Sequence, residues 1–177
     1  MKQNTDTGKE RRAAVRKRTL WVRYIFLTLS VVLMAIIFWF SSQTREESGE
    51  MSDGAAGILR EVLRLVFSEE VTESLLLYVR QYAHFFLYAC LGVSVSICAF
   101  TFPVSCGHGW VYWLFPVLIC FIYACTDEIH QLFVPGRSGK LSDVGIDALG
   151  FCLTVVVCNL VRVSVKKFSR APASEEK

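Results

Sequence analysis

The stretch LWVRYIFLTLSVVLMAIIFWF, residues 20–40, decides the fold class. It carries a single charge, Arg23, close to its start. At a rise of ~1.5 Å per residue, a helix of this length crosses the ~30 Å of hydrocarbon in a bilayer. Arg23 stands near enough to one end to snorkel to the headgroups. The run is longer than the apolar part of a signal peptide, and no small-x-small cleavage site precedes Ser41. It therefore reads as a retained anchor. Three further apolar runs follow, at residues 83–102, 110–126 and 144–163. Pro103 and Gly107-His108-Gly109 close the second of these. Pro116 lies inside the third and is expected to kink it. Asp147 and Asn159 interrupt the fourth. The expected architecture is an all-α, polytopic membrane protein with four transmembrane helices.

Composition agrees. Of 177 residues, 53% are apolar, and the mean hydropathy is +0.42. A water-soluble domain of this size carries less apolar residue. The net charge of +3 is unevenly placed. Residues 1–18 hold seven Lys/Arg against two acids, residues 41–80 four against eight, and residues 162–177 five against two. No basic stripe interleaved with aromatics is present, so nucleic acid is not an expected partner. Three parts are expected: a basic tail without structure at 1–18, a membrane domain at 19–165 and a second tail at 166–177. Positive charge marks the cytoplasmic side. Both tails are then cytoplasmic, and the acidic segment 41–80 and the loop 127–143 are extracytoplasmic. Six of the seven cysteines lie inside apolar runs, with Cys106 the exception and no C-x-x-C pair. They read as small hydrophobes rather than disulfides or metal ligands.

Within 41–80, Ile58, Leu59, Val62, Leu63 and Val66 recur at helical spacing, with Arg60, Glu61 and Arg64 opposite. The pattern predicts an extracytoplasmic amphipathic helix at the interface. Ser68 followed by Glu69 and Glu70 has the composition of a helix start.

The topology gathers polar residues at one level. Ser41, Ser42 and Gln43 end the first span. Arg80 and His84 open the second, with Tyr88 one turn further in. Asp127, Glu128, His130 and Gln131 end the third. Arg137 and Lys140 follow in a loop, and Asp143 and Asp147 open the fourth. Arg80, His84 and Tyr88 share one helical face, as do Asp143 and Asp147. Asp147 lies ~6 Å deeper than Asp143. An ionised carboxylate at that depth should face the bundle and find a partner among Arg80, Arg137 and His84. Asp143 follows Ser142, so a capping or dipole role competes with a ligand role. Ser41 and Ser42 can equally be interface residues, and Arg80 a headgroup anchor. Pro135-Gly136 suits the centre of a type II turn. His84, Glu128, His130 and Asp147 form a conceivable mixed N/O set for a divalent ion, but their spacing fits no metal motif, and no metal is assigned. No cofactor is indicated.

These residues resemble those of VanZ-like membrane proteins of bacteria. Phe40-Ser41-Ser42-Gln43 is similar to the F-S-S-Q that follows their first span. His84, Phe85, Tyr88, Leu91 and Gly92 match their K-x-x-H-F-x-x-Y-x-x-L-G. Asp127, Glu128, His130, Gln131, Phe133, Pro135, Gly136, Arg137, Asp143, Asp147 and Gly150 match a long D-E-x-H-Q-x-F-x-P-G-R motif and its continuation. Gln81 departs from the pattern, standing where the family often has Lys; Arg80 beside it points ~100° away around the helix. The resemblance implies a multi-pass protein of the bacterial cell membrane. The founding member's link to teicoplanin resistance implies a site facing cell-wall precursors.

Three functions compete on these residues. The first is an enzyme acting on an outer-leaflet lipid or lipid-linked precursor. His84, Glu128, His130 and Asp147 would do the chemistry. Ser42, Gln43, Arg80, Tyr88, Asp127, Gln131, Arg137 and Asp143 would bind. The second is a non-catalytic binder of an amphiphile, such as that lipid or a lipoglycopeptide. The third is a small transporter, which the near absence of polar residues in the inner half, Asn159 apart, disfavours.

Overall fold

The computed structural model describes residues 3–43, 62, 64–65, 67–69, 72, 79–102, 109–137 and 139–169, without the side chains of 3–8 and 79–80. The described residues form four helices: α1 (Gln3–Ser42), α2 (Val79–Phe100), α3 (Val111–Gln131) and α4 (Leu141–Phe168). Each is long and apolar enough to cross a membrane. The amphipathic helix expected near residues 58–66 lies largely outside the described residues. Close to it, Arg64 and Glu69 form an exposed ion pair at 2.7 Å.

Every helix is longer than its apolar run. α1 starts at Gln3, so the basic segment is helical rather than without structure. Its residues 9–18 contain neither Gly nor Pro. A helix already nucleated by a span propagates readily through Lys, Glu, Arg and Ala. At 40 residues, α1 measures ~60 Å and projects beyond the hydrocarbon. α3 likewise continues past Thr126 to Gln131, so Asp127, Glu128 and His130 belong to the helix rather than to a loop.

The packing inverts that of a soluble bundle. Large apolar side chains point outward, among them Trp21, Ile25 and Val31 on α1, Leu118 and Phe121 on α3, and Leu153 on α4. Buried side chains include Ser30, Ser41, Ser94, Asp127, Asp147 and Asn159. Hydrocarbon as the solvent accounts for both halves of this arrangement. The core is built from Ile37, Tyr88, Leu91, Val95, Cys120, Ala124, Val144 and Phe151. α2 and α4 make the most extensive helix pairing. Two glycines allow it. A Cβ on Gly150 would stand 2.5 Å from the Phe85 carbonyl oxygen, and one on Gly92 3.0 Å from the Phe151 backbone. Such close backbone approach is how helices associate where lipid supplies no hydrophobic drive.

Polar groups in the span are matched across helices. Ser94 Oγ donates to the Phe26 carbonyl at 2.9 Å and lies 2.9 Å from Ser30 Oγ, tying α2 to α1. Pro116 has no N–H, so the Tyr112 carbonyl four residues earlier loses its intrahelical donor. Asn159 Nδ2 of α4 donates to that carbonyl at 3.1 Å. The lone mid-span amide on α4 thus repairs the backbone gap made by the lone mid-span proline on α3.

Asn159→Leu should therefore lower stability in detergent by about 1–3 kcal/mol, the cost of an unmatched buried carbonyl. In a Pro116→Ala background, where the substitution restores the missing N–H, the loss should shrink to about half or less. Thermal melts of the four proteins in the cycle measure both effects. Equal losses in the two backgrounds would separate Asn159 from Pro116.

Candidate functional site

The C-terminal ends of α1 and α3 meet the N-terminal ends of α2 and α4 at one end of the bundle. The N-terminal end of α1 and the C-terminal end of α4 lie at the other. Asp127 is 2% exposed, Asp147 7%, and Glu128 and His84 9%. The polar residues of all four segments do converge, and most leave both solvent and lipid.

Ser41 and Ser42 are adjacent on α1 and so point ~100° apart. Ser41 Oγ donates to Asp127 Oδ2 at 2.8 Å. Gln131 Nε2, one turn beyond Asp127, reaches Ser41 Oγ at 3.3 Å and Asp127 Oδ2 at 3.4 Å. Ser42 Oγ donates to the Phe38 carbonyl at 2.7 Å. It also shares a hydrogen bond with His130 Nε2, 3.1 Å away. The ring of His130 stacks on Phe38 with centroids 4.3 Å apart. The His130 ring is thereby held between Ser42 and Phe38. Gln43 turns back toward the Trp39 carbonyl of its own helix at 3.5 Å.

The loop after α3 folds over the site. Val134 to Arg137 form the expected turn: Arg137 N–H donates to the Val134 carbonyl at 3.1 Å, and Gly136 has φ 76°. The turn aims Arg137 Nη2 at the Phe40 carbonyl, 2.8 Å away. Phe40 is in the last turn of α1, whose carbonyls lack helical donors and favour a cation. Further along, the Lys140 N–H donates to Glu128 Oε1 at 3.3 Å. Asp143 lies in the first turn of α4 and accepts from Gln81 Nε2 of α2 at 3.1 Å. Its place in the first turn fits the dipole role.

Tyr88 occupies the floor. It is fully buried between Tyr123 and Phe151, with ring centroids 6.2 and 6.4 Å away. Its hydroxyl has no hydrogen-bond partner among the described residues. Asp127, Glu128 and Asp147 all lie within electrostatic reach of it. Asp147 in turn is within reach of Asp127, Glu128 and Asp143. The cation expected beside Asp147 is not found among the described residues. Arg137 turns to Phe40, and the Arg80 side chain lies outside the described residues. No group of three or more His, Cys, Asp or Glu among the described residues is arranged to hold a metal ion.

A model of the VanZ/LLP1 family matches residues 26–162, most of the chain. The protein belongs to the VanZ/LLP1 family. No curated protein and no solved structure matches the chain. The matched region runs from within α1 to within α4 and includes every site residue named above. In this VanZ/LLP1 protein the residue at the departing position, Gln81, makes the α2–α4 bond to Asp143. Sequence alone marks Gln81 only as a departure and leaves Ser41 out of the site. The signal for both is present, in the F-S-S-Q motif and in the motif position of Gln81. What sequence lacks is the helix rotation that sends Ser41 to Asp127 and Ser42 to His130.

Ser41→Ala removes a donor from a buried carboxylate of this VanZ/LLP1 protein. It should destabilise the purified protein by about 1–3 kcal/mol. With Asp127→Asn already present, the added cost of Ser41→Ala should fall, because the charge it served is gone. Melting curves of the single and double variants measure this coupling. A Ser41→Ala protein that melts like the parent in either background would show that the bond contributes nothing.

Proposed function

We propose that this VanZ/LLP1 protein binds the donor-rich headgroup of an amphiphile at the outer face of the cell membrane. The ligand class is a lipid or lipid-linked cell-wall precursor bearing hydroxyl and amino groups, or a lipoglycopeptide of the teicoplanin kind. One observation carries the reading. The carboxylate of Asp147, nine-tenths buried, accepts no hydrogen bond from any described residue, and the Tyr88 hydroxyl nearby is also unmatched among them. Buried polar groups left open inside a membrane protein mark sites of use.

The balance of donors and acceptors sets the ligand chemistry. Asp127, Glu128, Asp143 and Asp147 all contribute acceptors. Arg137 gives Nη2 to the Phe40 carbonyl, and its Nε and Nη1 are buried. Four carboxylates against this one described guanidinium favour sugar hydroxyls and ammonium groups over phosphate. The positive-inside rule supports its outward location, since the basic termini lie at the opposite end. A binder that sequesters such a headgroup would alter how an antibiotic meets its target, which is how antibiotic resistance would follow.

One feature favours turnover at the same site. The imidazole of His130 is positioned by Ser42 at 3.1 Å and by stacking on Phe38. In that case the bound headgroup would also be cleaved or transferred, with His130 or Glu128 as general base.

The test uses purified protein in nanodiscs, with fluorescent teicoplanin and a labelled lipid-linked disaccharide as probes. At least one should bind, and Asp147→Asn should weaken that binding about tenfold or more, as loss of a charge-assisted bond requires. Gly145→Ala, where a new Cβ meets nothing within 4 Å, should leave it unchanged. Equal binding by the parent and Asp147→Asn proteins would overturn the reading. Mass spectrometry of the lipid after incubation distinguishes turnover from capture.

A further inference from the structure

A second polar feature lies at the end of the bundle that carries the termini. There a cavity of about 560 Å³ opens among the ends of all four helices. That volume falls within the ~300–1,000 Å³ that small-molecule sites occupy. Four cations line it: Arg16 and Arg23 of α1, and Arg162 and Lys166 of α4. No carboxylate of a described residue lines it. None of the four cations pairs with an acid among the described residues.

Basic residues at the end of a span often do no more than reach individually for water. Two of these four are held differently. Arg23 donates from Nε to Thr101 Oγ1 at 3.2 Å and from Nη2 to the Thr101 carbonyl at 2.7 Å. Its guanidinium also sits 3.9 Å from the centre of the Phe102 ring. Arg162 lies 3.5 Å over Tyr112 and 4.9 Å from Phe100. Side chains from α2 and α3 thus fix the planes of guanidinium groups on α1 and α4. Planar guanidinium groups fixed in this way present preorganised forks to an anion. Four like charges gathered in one cavity repel one another until a counter-charge joins them.

The level of the cavity narrows the anion. Trp21 and Trp110 are exposed beside its lining residues, and tryptophan marks the headgroup layer. A basic pocket between spans at that depth suits a phosphorylated lipid headgroup. We infer that this cavity binds the phosphate headgroup of an anionic lipid, with a headgroup of two phosphates satisfying the four cations best. This site is separate from the acidic one and recognises the opposite charge.

Full-length protein in a neutral maltoside detergent provides the test, read by native mass spectrometry and thermal shift. The probes are diphosphatidylglycerol, phosphatidylcholine and free inorganic diphosphate. Diphosphatidylglycerol should remain bound and raise the melting midpoint by about 4 °C or more. Phosphatidylcholine should do neither. Free diphosphate should not reproduce the shift at matched concentration. Arg16→Gln/Lys166→Gln removes two charges for which no contact with a described residue is seen, so the fold should survive. Lipid affinity should fall about tenfold or more. Should that double variant not fold, Lys166→Gln alone should weaken retention about threefold or more. Asp147→Asn should leave retention unchanged. An equal response to phosphatidylcholine, a full shift with free diphosphate, or parental affinity in the folded variants would each overturn the assignment.

Discussion

Hydrocarbon offers no hydrogen bonds, so each polar group that enters it must find its partner within the protein. That constraint explains most cross-helix contacts in the bundle. Asn159 of α4 supplies the donor that Pro116 denies to Tyr112. Ser94 of α2 meets the Phe26 carbonyl of α1. Arg137 covers a terminal carbonyl of α1, and Arg23 covers the Thr101 carbonyl just past α2. Apolar packing cannot specify the register of these helices alone, because lipid competes for every apolar face. The polar matches fix rotation and depth, while Gly92 and Gly150 let the α2 and α4 backbones approach closely enough to make them.

Asp147 and Tyr88 stand out against this pattern. Ser41 and Asp127 Oδ2, by contrast, meet across α1 and α3. The Tyr88 hydroxyl has no hydrogen-bond partner among the described residues, and three carboxylates surround it. The same low dielectric that strengthens matched pairs makes these unmatched ones expensive to keep. Their presence at one end of the bundle is what a binding site requires and a purely structural core avoids.

The four spans were legible because apolar length is a one-dimensional property of the chain. Helix ends were less so. Polarity rises at Asp127 and falls back at Arg18, yet the backbone remains helical through both, since residues 9–18 and 127–131 hold neither Gly nor Pro. Burial of His84 and Asp147 followed from depth, whereas burial of Asp127 and Glu128 at the outer end of α3 did not. Nor did their partners. Whether Ser41 or Ser42 meets Asp127 depends on the rotation of α1, and the Gln81–Asp143 bond depends on the register of α2 against α4. Arg137 reads as an anion ligand from its charge, whereas the turn at Gly136 directs it to Phe40. These are relations between helices, which no pattern within one helix encodes.

Helix dipoles sharpen the functional reading. The acidic end holds two helix N-termini and two C-termini, so the four macrodipoles nearly cancel there. The acidic character of that end therefore comes from side chains. Asp143 and Asp147 sit in the first turns of α4, where a negative charge is favoured. Asp127 and Glu128 sit near the C-terminus of α3, where it is disfavoured. Local helix energetics would place Lys or Arg at both positions. Carboxylates at α3's unfavourable end, buried and facing those of α4, oppose local stability.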